Sequence, residues 1–261
     1  MDTRAIGMFD SGVGGMTVYK EVKKAFPKQK IVYLGDTARF PYGSKSKETI
    51  IEITRKGIEF LIQKNVKLII IACGTATSQA LEKVKNSYPI PIIGIIEPTV
   101  QYIKESHLRK IGVIATHGTI RSNAWEQELK KKIENIEVQN KACPLLAPMA
   151  EEGFIDNEIA KLTIHEYLKD LKNIDGLILG CTHYPLFKPL IAKELGSHIE
   201  IINTGEKIVR KVKSILKEDT SSVKENVEDE IYLTDTECNF IEVVKKLLGK
   251  SEIIEIKKAI V

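Results

Sequence analysis

Residues 67–84 read KLIIIACGTATSQALEKV, and residues 175–195 read DGLILGCTHYPLFKPLIAKEL. Each is an apolar run, a small residue, a cysteine, a threonine within two positions, and then a helical pattern. The two cysteines, Cys73 and Cys181, lie 108 residues apart. The flanks repeat at nearly the same offset. AIGMFDSGVGG (5–15) matches KIGVIATHGTIRS (110–122) in pattern, and PIIGIIEPT (91–99) matches IEIINTGEK (199–207). Three pairs at one offset point to a duplicated unit.

Short apolar runs alternate with longer amphipathic stretches along the chain. The runs Ile6–Phe9, Ile31–Leu34, Leu68–Ala72, Ile92–Ile96, Ile111–Ala115, Gly176–Leu179, Ile199–Ile202 and Ile231–Leu233 read as strands. Most are too apolar to have one wet face, so they belong to parallel sheets covered on both sides. Helical patterns fall at Thr17–Ala25, Lys47–Lys64, Ser78–Asn86, Ser122–Lys132, Asp156–Leu171 and Leu186–Leu195, with another around Phe240–Leu248. The fold class is therefore α/β: two pseudo-symmetric lobes, each a mainly parallel sheet flanked by helices. The expected lobes are residues 1–97 with 210–261, and residues 98–209. Ligands bind at the carboxyl ends of parallel strands, so the site belongs in the cleft between the lobes.

With 261 residues, 43% apolar and 28% charged, the chain has ample material for a core. A net charge of +4 without a concentrated basic stripe gives no reason to expect nucleic acid. The longest apolar run, Leu68 to Cys73, is too short to span a membrane. The start, MDTRAIGMFDSG, does not read as a secretory signal. Four scattered cysteines (Cys73, Cys143, Cys181, Cys238) without a CxxC pair fit a reducing cytoplasm and no disulfide framework. The five histidines show no zinc-ligand spacing with them, so no metal is expected.

Two thiols on opposite faces of one carbon suit a two-base reaction. One thiolate removes a proton and the other thiol delivers one from the far side, inverting the centre. A helix N-terminus behind each strand end would favour the thiolate. Free cysteines are also often simply buried, and Cys143 and Cys238 are read that way. Three further motifs surround the pair. In FDSGVGG, glycines 12, 14 and 15 join a strand to a helix, where N–H groups can cradle an anion. Asp10 there either caps the helix, or binds an ammonium group or holds a proton for a thiol. YLGDTARFPYGSKS (33–46) joins a tight turn at Pro41-Tyr42-Gly43 to a helix N-cap at Ser46. It is either a capped turn or a loop offering amides to a carboxylate. In CTHY, His183 stands two residues after Cys181, as a general acid–base, a tuner of the thiol, or a solvent-facing helix start.

Taken together and in order, DSGVGG, GDTARFPYGSKS, CGTA and GCTHYPL resemble the glutamate racemase family, whose patterns are DSGxGG, GDxxxxPYGxKS, CNTA and GCTHYPL. The similarity extends through GVIATHGTIRS and PLLAPMAEEG, over most of the first 205 residues. The resemblance implies that Cys73 and Cys181 are the two proton donors and acceptors, assisted by Asp10 and His183. It implies that Asp10, Ser11, Tyr42, Gly43, Gly74, Thr75, Thr182 and His183 hold glutamate, with Thr116, Thr119 and Glu151 lining the same cleft. It further implies a cytoplasmic homodimer, without pyridoxal phosphate or other cofactor and without metal, that supplies D-glutamate for peptidoglycan and hence cell-wall biogenesis and cell shape. One departure stands inside the site: the family's CNTA asparagine is Gly74, which removes a side-chain amide. Another lies at Asn203-Thr204-Gly205, where members often carry an acidic segment.

Three other functions compete. An aspartate or hydantoin racemase would share the fold. A two-lobed anion-binding protein would explain the halves but not the paired cysteines. A cysteine hydrolase would need only one of the two thiols.

Overall fold

A computed structural model describes residues 2–216, 228–236, 244 and 255–261. Its strands form two parallel sheets. The first uses β1 (Ala5–Asp10), β2 (Ile31–Gly35), β3 (Val66–Ile71), β4 (Ile92–Gly94), β9 (Glu230–Leu233) and β10 (Ile256–Lys258). The second uses β5 (Lys110–Ala115), β6 (Glu137–Ala142), β7 (Gly176–Leu179) and β8 (Glu200–Asn203). The first sheet runs β10-β9-β2-β1-β3-β4 and the second runs β6-β5-β7-β8. Removing β9 and β10 leaves the same order twice, each unit starting next to its own first strand. The sequence repeat is thus a repeat of topology: β1 corresponds to β5, and β3 to β7.

The strands form because they are apolar on both faces. All six residues of β1 are buried, and they alternate between two cores. Ile6 and Met8 face one side, and Ala5 and Phe9 the other. The first core is shared by both sheets. It takes Val18 and Val22 from α1 (Met16–Ala25), Val100 and Ile103 from α4 (Ile96–Ser106), Trp125 and Leu129 from α6 (Ala124–Lys132), and Ile208 and Val212 from α10 (Thr204–Leu216). These four helices therefore lie between the sheets. On the outer face of the first sheet pack α2 (Lys47–Gln63) and α3 (Gly74–Val84). On the outer face of the second pack α7 (Leu146–Glu151), α8 (Glu158–Leu168) and α9 (Lys188–Leu195). A short helix α5 (His117–Arg121) follows β5.

Ser46 caps α2 as its sequence predicts, accepting a hydrogen bond from the Thr49 N–H at 3.2 Å. Two strands were not anticipated. β6 (EVQNKA) is an edge strand with no fully buried residue, so it carries no apolar signal. β10 is three residues long and also at an edge. The strand expected over Ile92–Ile96 ends at Gly94, because α4 takes over at Ile96. β9 joins β2, so the chain after α10 returns to the first sheet. The helix expected around Phe240–Leu248 lies, except for Val244, outside the described residues, as does Cys238.

Candidate active site

β1, β3, β5 and β7 end at the same place, and the segments after them meet there. Cys73 follows β3 and caps α3, its sulfur accepting from the Ala76 N–H at 3.5 Å. The Ser11 hydroxyl lies 3.6 Å from the same sulfur. Just as Ala72 alone separates β3 from Cys73, one residue, Gly180, separates β7 from Cys181. No helix begins directly behind it, contrary to expectation. His183 instead leads into a 3-10 turn, Tyr184–Phe187, with Pro185 in its first turn, and α9 starts only at Lys188.

The two thiols are 4% and 7% exposed, and the groups around them are equally enclosed: Asp10, Ser11, Thr75, Thr182 and His183 are all buried. That burial overturns the expectation of a helix-favoured thiolate at Cys73. Loss of solvent pushes its thiol up to about 12, Asp10 nearby adds to this, and the Ala76 N–H offsets only part. Around Cys181 the chemistry differs. Its sulfur lies 3.7 Å from His183 Nδ1, and His183 Nε2 lies 2.6 Å from Glu151 Oε1. Burial works against the imidazolium, but Cys181 and Glu151 outweigh it and raise the affinity of His183 for its proton. The Phe40 ring, reaching over from the loop after β2, lies 5.4 Å from the imidazole.

The N–H groups of the glycine loop are engaged by carboxylates of the protein itself. Its Gly12 and Gly15 N–H groups donate to Asp10 Oδ2 at 3.1 and 2.9 Å, and the Val13 N–H donates to Glu151 at 3.4 Å. The glycines also serve close approach. A Cβ at Gly14 would lie 2.5 Å from His183 Nδ1 and 2.6 Å from the Thr182 hydroxyl. Asp10 thus supports the loop and also receives the Thr182 hydroxyl at 3.2 Å, tying the halves together. Burial pushes its carboxyl up to about 6, against the opposing influence of His183 and its hydrogen bonds.

Thr75 meets two threonines of the segment after β5, Thr116 at the N-cap of α5 and Thr119 within it. Its hydroxyl is 2.9 Å from that of Thr116 and 3.3 Å from that of Thr119. Gly43 abuts Thr116, where a Cβ would lie 2.7 Å from the threonine Cβ. Tyr42 is buried and its hydroxyl donates to Asp36, which leaves its backbone rather than its side chain for a ligand. Contacts thus join Ser11 to Cys73, Asp10 to Thr182, Cys181 to His183 and Glu151, and Thr75 and Gly43 to Thr116. The sequence did not single out Asp36, which also binds Arg39 and receives the Thr234 hydroxyl, or Phe40. Asp36 stands at a strand end like Asp10, and that position was its available signal.

Among the described residues, no three His, Cys, Asp or Glu side chains are grouped to hold a metal ion. No described helix is long and apolar enough to cross a membrane.

Comparison with known proteins bears on the family and the fold. The Asp/Glu/Hydantoin racemase family model matches residues 6–212. A curated glutamate racemase from Sulfurihydrogenibium sp. (strain YO3AOP1) is 46% identical over 257 residues, covering 96% of this chain and 97% of that protein. The crystal structure of glutamate racemase from Francisella tularensis subsp. tularensis SCHU S4 in complex with D-glutamate is 39% identical. It superposes with a TM-score of 0.91, covering 100% of this chain and 98% of that one. Glutamate racemase from Aquifex pyrophilus is 43% identical with a TM-score of 0.80, covering 97% and 98%. A matching family model over most of the chain and near full-length relatives together mean that this chain belongs to the Asp/Glu/hydantoin racemase family and is a racemase.

Proposed function

We propose that this racemase interconverts L- and D-glutamate by a two-thiol mechanism that needs no cofactor. The observation that carries the reading is the matched placement of Cys73 and Cys181, behind corresponding strands of two like-ordered sheets. Glutamate, rather than a shorter diacid, is favoured by relatives of that name at 41–46% identity.

In each turnover one sulfur starts as thiolate and the other as thiol. The thiolate takes the α-hydrogen as a proton, and the C–H electron pair passes into the carboxylate-conjugated carbanion. The opposite thiol then gives its proton to the other face. The enzyme ends with the two protonation states exchanged, so the reverse reaction starts from the product form. Cys73 as buried here is a poor thiolate; the desolvated ammonium group of a bound amino acid beside it would bring its pKa down. His183, held by Glu151, stabilises the thiolate of Cys181. The Thr75, Thr116 and Thr119 hydroxyls and the backbone at 42–43, 74–75 and 182–183 are assigned to the two carboxylates, and Asp10 and Ser11 to the ammonium group. We read residues 1–97 with 210–261 and residues 98–209 as the lobes that close on the substrate. We assign the enzyme to the cytoplasm as a homodimer that supplies D-glutamate for peptidoglycan.

The direct test is circular dichroism of L- and D-glutamate, with aspartate alongside, run in D2O. Racemisation of glutamate with solvent deuterium entering the α position supports the reading. Turnover of aspartate alone redirects it to another substrate of the family, and no exchange in either amino acid refutes it.

A further inference from the structure

The two thiol-bearing segments meet main chain to main chain. A Cβ at Gly74 would overlap the carbonyl oxygen of Gly180, far inside van der Waals contact, and would lie 3.2 Å from the Gly180 carbonyl carbon. Gly74 follows Cys73, and Gly180 precedes Cys181. The residue that must be glycine therefore sits where the loop after β3 touches the loop after β7. Neither partner is a flexible side chain, so a Cβ could be relieved only by moving one loop away from the other. In this arrangement both thiols are nearly shut off from solvent. An amino acid placed between the two sulfurs would occupy space next to this contact.

From this contact we infer that Gly74 is a positioning residue. Its missing Cβ lets the two loops close on each other, and that self-closed state competes with binding. A ligand that needs the open form sees its apparent affinity reduced by the fraction of molecules that are open. The consequence for turnover rests on the two-thiol reading, but the closure itself does not.

The molecule carries its own reporter. Trp125 is the chain's one tryptophan, it is 1% exposed, and its indole N–H has no hydrogen-bond partner among the described residues. Its nitrogen would lie 3.1 Å from a Cβ on Gly180, so the ring rests against the loop that would move.

The test compares the full-length protein with Gly74→Ala, without ligand, by pulsed iodoacetamide alkylation read at the Cys73 and Cys181 peptides. Alanine adds a Cβ and no hydrogen-bonding group. Both cysteines should be alkylated about tenfold faster in the variant, and KM for glutamate should fall by more than kcat changes. Alkylation within about twofold of the parent, in a variant whose circular dichroism and melting remain native, overturns the inference. Should Gly74→Ala fail to fold, the parent protein decides: saturating D-glutamate must break the contact and alter Trp125 emission, and unchanged emission with ligand demonstrably bound overturns the inference. Faster alkylation in a protein that does not racemise glutamate would leave the closure standing and the functional reading refuted.

Discussion

Cys73 and Cys181 end corresponding strands, yet their surroundings have little in common. Cys73 caps a helix and meets the Ser11 hydroxyl and the Ala76 N–H, and burial pushes its thiol up to about 12. Cys181 has no helix directly behind it and leans on a histidine that is in turn held by Glu151. A duplicated fold thus supplies two equivalent positions but not two equivalent surroundings. Desolvation outweighs the helix N-terminus at the first position, and a charged side-chain pair shapes the second. On the proposed two-thiol mechanism each direction begins from a different base, so the two should respond differently to changes on either side.

The largest effect should come from the thiols themselves. Cys73→Ser and Cys181→Ser should each lower racemisation in both directions by about a thousandfold or more, since a proton taken from one face must be replaced from the other. Each variant should still eliminate a leaving group from the β-carbon of one enantiomer of a substrate analogue, and the two should choose opposite enantiomers. Our assignment is that Cys73 deprotonates the D form and Cys181 the L form. If both variants prefer the same enantiomer, the two-face model is lost; if either is fully active, so is the assignment.

The next effect separates the two sides. Glu151→Gln removes the anion that helps raise the proton affinity of His183. The imidazolium should then give up its proton at lower pH, and the pH–rate limb on the Cys181 side should move down with it. The initial rate should fall about tenfold or more in the direction that starts from Cys181, and less in the other. Equal losses with an unmoved profile would mean that the pair only supports the loop.

A stability measurement examines the opposite side. Asp10 is pushed up from 3.8 to about 6 by burial. Below about pH 4 the folded and unfolded chains both carry its proton; between about 4 and 6 only the folded chain does. The group therefore favours folding at low pH, and that stability is lost as pH rises through about 6. The expected loss is on the order of 2 kcal/mol across this window. Urea melts of the parent and of Asp10→Asn at pH 4.5 and 7 should show the variant without this dependence, and equal slopes in the two proteins would contradict it.

The smallest effect concerns the amide that Gly74 lacks. Gly74→Asn and Gly74→Ala both add a Cβ at the loop contact, so the difference between them isolates the amide. Asparagine should bind glutamate more tightly than alanine by about 0.5–1.5 kcal/mol, the value of one ordinary hydrogen bond. Equal KM values would show that the amide makes no contact with substrate in this cleft.

The repeat around Cys73 and Cys181, and with it the α/β class and two like sheets, was legible because buried parallel strands must be apolar on both faces. The edge strand Glu137–Ala142 was not, because half-exposed edges carry polar residues and lose the periodic signal. In the site, the sequence marked the cysteines, Asp10 and His183 through their place behind strands. It could not say that Asp10 would hold the glycine loop's N–H groups, or that Glu151, 32 residues from His183, would meet it.

What the sequence determined by itself is local and periodic: which segments are strands, which residues end them, and that the unit occurs twice. The tertiary structure alone decided which main chains touch and how dry each group becomes. Proton affinity follows burial and neighbours brought together from distant positions, and the need for glycine at 74 arises only where the Gly180 carbonyl arrives, more than a hundred residues along the chain.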